Sequence, residues 1–207
     1  MEIQYSGEHL LPGHLGNFFV ILSFAASLLA TGSYFFAANA SAINHSWNRL
    51  GRISFYIHSG SVVFIVATLF FILANHYYEY HYVWQHSSNE MPLRYIFSCF
   101  WEGQEGSFLL WSFWHVMLGN ILIFSARSSH KGGGWLAWEA PVMAIFSSVQ
   151  VFLSSMLLGI YFGDYNIGSN PFTILLREHP DFFSAPIFQN PDYLTKMDGR
   201  GLNPLLQ

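Results

Sequence analysis

Four stretches of the chain run for about twenty residues or more without a charged side chain: residues 15–38, 53–75, 107–126 and 141–162. At about 1.5 Å per residue each can cross a hydrocarbon layer of about 30 Å. In lipid the backbone has no water to bond to, so an uncharged run of this length must close its own hydrogen bonds as a helix. The pattern predicts an all-α, polytopic integral membrane protein with four transmembrane helices. Residues 1–162 form the four-helix region and residues 163–207 a tail. Polar and small positions inside the runs fall on stripes: Gly16, Ser23, Ser27 and Tyr34 in the first, Ser54, His58, Ser61 and Thr68, in line with Ile65, in the second, and Ser147, Gln150 and Ser154 in the fourth. Steps of three, four and seven keep these residues on one helical face, where small and hydroxylated side chains let helices approach and bond.

Charge adds a direction. The chain of 207 residues is 52% hydrophobic and only 10% charged, against about a quarter charged in soluble domains. Arg49 and Arg52 lie between the first two runs, and Arg127 and Lys131 against Glu139 between the last two. The segment from Asn75 to Gly106 carries Arg94 against Glu79, Glu90, Glu102 and Glu105. Basic loops stay on the cytoplasmic side, which predicts both termini and the acidic segment outside. The start carries Glu2 and Glu8 rather than basic residues, so the first run is expected to be retained as a span rather than cleaved as a signal peptide. Membrane lipid is the expected surrounding. No basic run points to nucleic acid.

Candidate chemistry is sparse. Cys99 is the single cysteine, which excludes an internal disulfide and a CxxC site. There is no Walker loop, GxSxG, HExxH or EF-hand pattern. Gly132–Gly134 reads as a flexible linker. His58 and His115 lie within the second and third runs, and neutral imidazoles from two helices can hold a b-type haem. That leaves open an intramembrane electron-transfer subunit using this pair, although antiparallel helices would set the two histidines at different depths. A membrane anchor without a cofactor also stays open. His76, His81 and His86 are spaced by five within NHYYEYHYVWQH, which is no zinc spacing. The segment reads as an aromatic belt at the membrane–water boundary, or as a contact for a partner or planar aromatic ligand.

More specific is WEGQEGSFLLW, Trp101 to Trp111. It resembles the W-G-x-x-E-G-S-x-L-L-W signature of the CcmF family of cytochrome c maturation proteins, through Trp101, Gly103, Glu105, Gly106, Ser107 and Trp111. Gly13 to Leu29 is similar to that family's first span, with its E-x-G-N-F. Ser169 to Phe172, with Asn170 and Pro171, is similar to the segment after its fourth span. Gly199 to Gln207, with Asn203 and Pro204, is similar to G-x-x-L-N-P-L-L-Q. Glu102 departs from the family, which has a small residue there.

The resemblance implies a place in cytochrome c maturation: the membrane scaffold of a haem lyase that delivers haem to apocytochrome c and attaches it. It implies haem as the cofactor, a haem chaperone and apocytochrome c as partners through the complete complex, and the bacterial inner membrane as location. The family's tryptophan-rich segment and its four histidines follow the L-N-P-L-L-Q motif, so this chain is expected to be an amino-terminal portion. Its haem ligands would lie in the remaining portion of the family protein, and it would be inactive alone. For the signature itself, the residues predict a tight turn capping the third span. Gly103 and Gly106 would supply backbone freedom, Glu105 would face the helix amino terminus, and Trp101 and Trp111 would bracket the turn.

Overall fold

The computed structural model describes residues 7–40, 45–128, 134–162, 165–178 and 189–203. Glu2, Lys131, Gly132, Gly133 and Pro204 lie outside the described residues. The elements in order are α1 (Leu10–Ala38), α2 (His45–Ala74), α3 (His81–His86), α4 (Leu93–Glu102), α5 (Gln104–Ser128), α6 (Gly134–Leu158), β1 (Ile160–Phe162), β2 (Tyr165–Ile167) and α7 (Leu175–Glu178), followed by a 3-10 turn at Tyr193–Lys196. α1, α2, α5 and α6 are each long and apolar enough to cross a membrane. The protein is therefore a helical, multi-pass membrane chain.

Two details differ from the sequence expectation. The fourth run ends as helix at Leu158, not at residue 162. Gly159 takes φ +67°, the left-handed conformation that closes helices. Ile160–Phe162 then pairs antiparallel with Tyr165–Ile167. The apolar Ile-Tyr-Phe continues the hydropathy of the run, which hides the break. The acidic segment between the second and third runs also holds two helices of its own, α3 and α4.

The chain folds as two compact units. One comprises Phe18–Val66 and Phe108–Ser169, hence most of the four long helices and the hairpin; the expected boundary at residue 162 falls inside it. Its interior is small and polar where the stripes predicted: Ser23, Ser27, Tyr34, Ser54, His58, Ser61, Ser112, Ser147, Gln150 and Ser154 are buried. Many hydroxyls return to the carbonyl one turn back, as Ser147 does to Met143 and Ser154 to Gln150, so they cross no lipid unsatisfied. Ser27 and Ser154 also meet across helices at 3.3 Å. Phe35, Phe36, Phe64, Trp111, Trp114, Phe124, Ile145 and Phe152 are exposed. Water would not tolerate so many large apolar side chains outside; lipid solvates them.

Arg52 and Glu139 join the starts of α2 and α6 in this unit. Arg52 Nε donates to Glu139 Oε1 at 2.6 Å and its Nη2 to Oε2, and the Glu139 side chain is 1% exposed. Both charges had served only to orient the loops. Their pairing puts the two loop ends at one end of the unit.

The other unit comprises Met1–Asn17, Ala67–Ser107 and Asn170–Gln207. Its core is tyrosine-rich. Tyr78, Tyr80, Tyr82, Tyr193, Phe100, Phe172 and Leu175 are buried. The NHYYEYHYVWQH segment contributes core rather than a bare belt: Tyr78, Tyr80 and Tyr82 are buried, Tyr78 donating to Asn89 Oδ1 at 3.0 Å and the other two to backbone. Tyr80 donates to His9 O at 2.6 Å and takes the Gly13 N–H at 2.8 Å. Tyr82 donates to Phe100 O at 2.8 Å. Cys99 is buried there too. Burial, then the charge of Glu102, pushes its thiol up to about 12. Thiolate is the reactive form, so mass spectrometry is expected to find Cys99 unmodified by N-ethylmaleimide at pH 8 until the protein is denatured.

Candidate functional site

The four stretches that carry the resemblance meet in pairs within the tyrosine-rich unit. The first pair joins the start of α1 to the segment before α7. Asn170 Nδ2 donates to Asn17 Oδ1 at 2.8 Å, while Asn170 Oδ1 takes the Phe172 N–H at 3.0 Å. Phe172 packs on Gly16, where a Cβ would lie 2.5 Å from its ring. Pro171 stands between them, buried, and fixes the turn. Two antiparallel contacts extend the pairing: His81 N–H to Thr173 O at 3.0 Å and Leu175 N–H to Glu79 O at 2.8 Å.

The second pair joins the α4–α5 junction to the end of the described chain. Glu102 Oε1 accepts the Asn203 N–H at 2.7 Å. This gives a position for the residue that departs from the resemblance: its carboxylate holds the backbone of Asn203. Its second oxygen, Oε2, is buried without a hydrogen-bond partner. Nearby, Arg200 and Gly201 donate backbone N–H groups to Trp84 O and Ser87 O, and the Arg200 guanidinium lies 4.5 Å over the Trp84 ring.

The junction differs from the expected turn. α4 ends at Glu102 and α5 begins at Gln104, with Gly103 the one residue between. Gly103 has φ −81° and Gly106 lies inside α5, so neither is present for backbone freedom. They provide clearance. A Cβ on Gly103 would lie 2.6 Å from Tyr82 and one on Gly106 1.6 Å from Phe100 O. Ser107 is not a cap: its N–H bonds Gly103 O and its hydroxyl donates to Trp101 O at 2.8 Å. Glu105 does sit in the first turn of α5, where the exposed N–H groups favour a negative charge. Trp101 is exposed on the last turn of α4 and Trp111 on α5.

The two intramembrane histidines have other work. His58 is fully buried. Its Nε2 lies 2.8 Å from Gln150 Oε1 and its Nδ1 3.0 Å from Ser23 Oγ. Nδ1 also lies 2.9 Å from Ser23 O, so both ring nitrogens are engaged. Gln150 passes the chain on to Ser112 O at 3.4 Å. His115 stacks on Phe146 at 3.8 Å between ring centroids, with Nδ1 buried and unpartnered. Haem ligation through His58 would first break the hydrogen bonding at the ligating nitrogen. Replacing Gln150 by leucine is expected to cost about 1–3 kcal/mol in detergent-solubilised unfolding, because the ring nitrogen is left buried and unpaired. Changing His58 to leucine as well should return most of it.

Sequence reading missed His9 and Glu79. The His9 backbone N–H donates to Glu79 Oε1 at 2.8 Å, and His9 Nδ1 lies 3.2 Å from the same oxygen. The ring stacks flat on Tyr77 at 4.1 Å. Burial pushes the Glu79 carboxyl above its usual range, against the pull of the bonds from His9. The signal was present as a histidine beside the first span and an acid within an aromatic run, but 70 residues separate them. Among the described residues, no group of three or more His, Cys, Asp and Glu is placed to hold a metal ion.

These features define a class: a multi-pass helical membrane protein in which separated chain segments build a second, aromatic-cored unit. No family model matches the chain. It is 29% identical over 193 residues to the cytochrome c-type biogenesis protein CcmF of Haemophilus influenzae, covering 93% of this chain and 25% of that protein. It is 27% identical over 168 residues to the CcmF of Pseudomonas aeruginosa, covering 79% of this chain and 20% of that one. A solved structure named cytochrome c haem lyase CcmF shares the fold at a TM-score of 0.64 and 24% identity, over 86% of this chain and 27% of its own. The chain is similar to the CcmF proteins, and it spans about a quarter of the length of the curated proteins it matches.

Proposed function

We propose that this chain serves cytochrome c maturation as the scaffold portion of a haem-attaching membrane assembly. The carrying observation is the pairwise meeting of the four CcmF-like stretches. Glu102 with Asn203, and Gly16 and Asn17 with Asn170 and Phe172, join sequences more than 100 residues apart. Short motifs that close on one another in space make a built surface, and similarity to CcmF names the work such a surface would do. In this reading the chain lies in the bacterial inner membrane. It holds the rest of a haem lyase in place and meets the haem chaperone and apocytochrome c through that complex. It does not attach haem by itself, and it corresponds to an amino-terminal portion of the relatives.

The test is genetic and direct. Deleting the coding sequence in the source organism should abolish or sharply reduce covalently attached haem in its c-type cytochromes, read by haem staining of denatured membranes. Re-expression of the chain should restore it. Undiminished haem attachment in the deletion strain would refute the proposal. Within that assay Glu102→Ala, which frees the Asn203 segment, is expected to lower holo-cytochrome several-fold at unchanged protein level.

A further inference from the structure

Within this chain α5 is the least enclosed of the four long helices. Trp111, Trp114, Leu118, Ile121 and Phe124 are all exposed on it, the two tryptophans by 64% and 60%. Their steps of three and four put them on one arc of the helix. For the chain by itself lipid covers this arc, and leucine, isoleucine and phenylalanine are at home there. The indoles are not. Each brings an N–H donor into a medium that has no acceptor.

Their position sharpens the contrast. Trp47 and Trp138 lie near the starts of α2 and α6, at helix ends, where an indole N–H reaches headgroups or water. Trp84 and Trp101 lie outside the four long helices. Trp111 and Trp114 instead lie four and seven residues inside the uncharged run that begins at residue 107, hence about 6 and 10 Å deep at about 1.5 Å per residue. Trp111 sets its ring edge-on to Phe108 and Trp114 to Phe113, and no described residue accepts either N–H.

We propose that this arc of α5 is a docking seam for a transmembrane helix from the rest of the CcmF-like assembly. That helix presents small residues opposite the indoles and a side-chain oxygen that accepts their N–H groups. Small residues let two helices approach where one of them carries bulky rings, and a bond across the pair satisfies a donor that lipid cannot. The identity of the occupant rests on the proposed scaffold role. The CcmF of Haemophilus influenzae is about four times as long as the stretch this chain matches, so it contains further polypeptide that could fill the seam. A second copy of this chain lacks the required chemistry. Two copies in one membrane share an orientation, so their seams meet in parallel and indole faces indole at one level. The side-chain oxygen that the arc itself carries is that of Ser125, eleven residues from Trp114 and about 16 Å away along the helix.

The experiment is photo-crosslinking of the whole chain in membranes of the source organism. The photoreactive p-benzoylphenylalanine replaces Leu118 or Ile121 in the seam, or the exposed Phe152 of α6 as a control. Irradiation at Leu118 and Ile121 should yield adducts with a transmembrane peptide of the CcmF-like assembly from outside the 207 residues, identified by mass spectrometry. Phe152 should yield lipid adducts. The double variant Trp111→Leu with Trp114→Leu suits a lipid face as well as the native pair does. It should keep the protein level and circular dichroism of wild type, yet lower the peptide adduct from Leu118 about tenfold, the scale of a tryptophan anchor. Trp114→Phe, which keeps a ring and removes the donor, should lower it several-fold. Lipid adducts alone at both seam positions, adducts between copies of this chain, equal peptide yield at Phe152, or a double variant at wild-type yield would each overturn the seam. If the seam fails while deletion still lowers covalent haem, the scaffold proposal stands without it. A peptide adduct as described, with haem attachment intact on deletion, keeps the seam and removes the role in cytochrome c maturation.

Discussion

Glu139→Ala is expected to cost about 3–5 kcal/mol of stability, the scale for stripping one partner from a buried ion pair. The Arg52 guanidinium is three-quarters enclosed and bonded through two nitrogens to a carboxylate that is 1% exposed. With the carboxylate gone, a cation is left inside a helix packing where lipid or apolar side chains, rather than water, surround it. Coulomb attraction in such surroundings offsets a desolvation cost of several kcal/mol per ion only while both partners are present. The double variant Arg52→Met with Glu139→Leu should therefore recover most of the loss, since it removes both charges and keeps the volume. Detergent-induced unfolding in mixed micelles, followed by tryptophan fluorescence, measures all three proteins. A single variant within 1 kcal/mol of wild type would mean that water reaches the pair, and the account of this contact would be wrong.

Gly106→Ala is expected to be the most damaging change outside the long-helix unit, at about 3 kcal/mol, the upper end of overpacking costs. The added methyl would meet Phe100 O at 1.6 Å and the Tyr82 hydroxyl at 2.3 Å. A flexible side-chain tip could swing away, but a backbone carbonyl at the end of α4 cannot move without taking the helix with it. The shift would also break the bond from Tyr82 to Phe100 O, leaving a buried hydroxyl unpaired. Gly103→Ala meets only the Tyr82 and His86 side chains and should cost less. Hydrogen exchange of the α4–α5 junction, compared among the three proteins, would show the ranking. Equal protection in Gly106→Ala and wild type would contradict it.

The long helices could be read from sequence because lipid leaves a chain so few options. An uncharged run must be helical, and its costly polar atoms must face protein, so the stripes of Ser23, His58 and Gln150 announced the inner surface. The aromatic-cored unit resisted the same reading. Tyrosine and tryptophan are as common at a membrane boundary as in a core, and composition does not separate the two. What decides is the partner, and the partners of Tyr80, Tyr82 and Glu102 are distant in sequence: His9, Phe100 and Asn203. Arg52 and Glu139 were visible as charges but not as a pair, for the same reason. The signature stretch was found by likeness, yet its glycines were assigned backbone freedom when the structure uses their lack of a side chain. That distinction lies in neighbours, which a local reading does not see.

The tie from Tyr193 to Glu8, a hydrogen bond of 3.1 Å across 185 residues, has a consequence for biogenesis. A ribosome releases Glu8 and Tyr193 far apart in time. The amino end reaches the bilayer early and then waits for Tyr193 to be translated. Quality-control proteases have that interval in which to act, so slowed translation between the two residues is expected to lower the yield of folded protein.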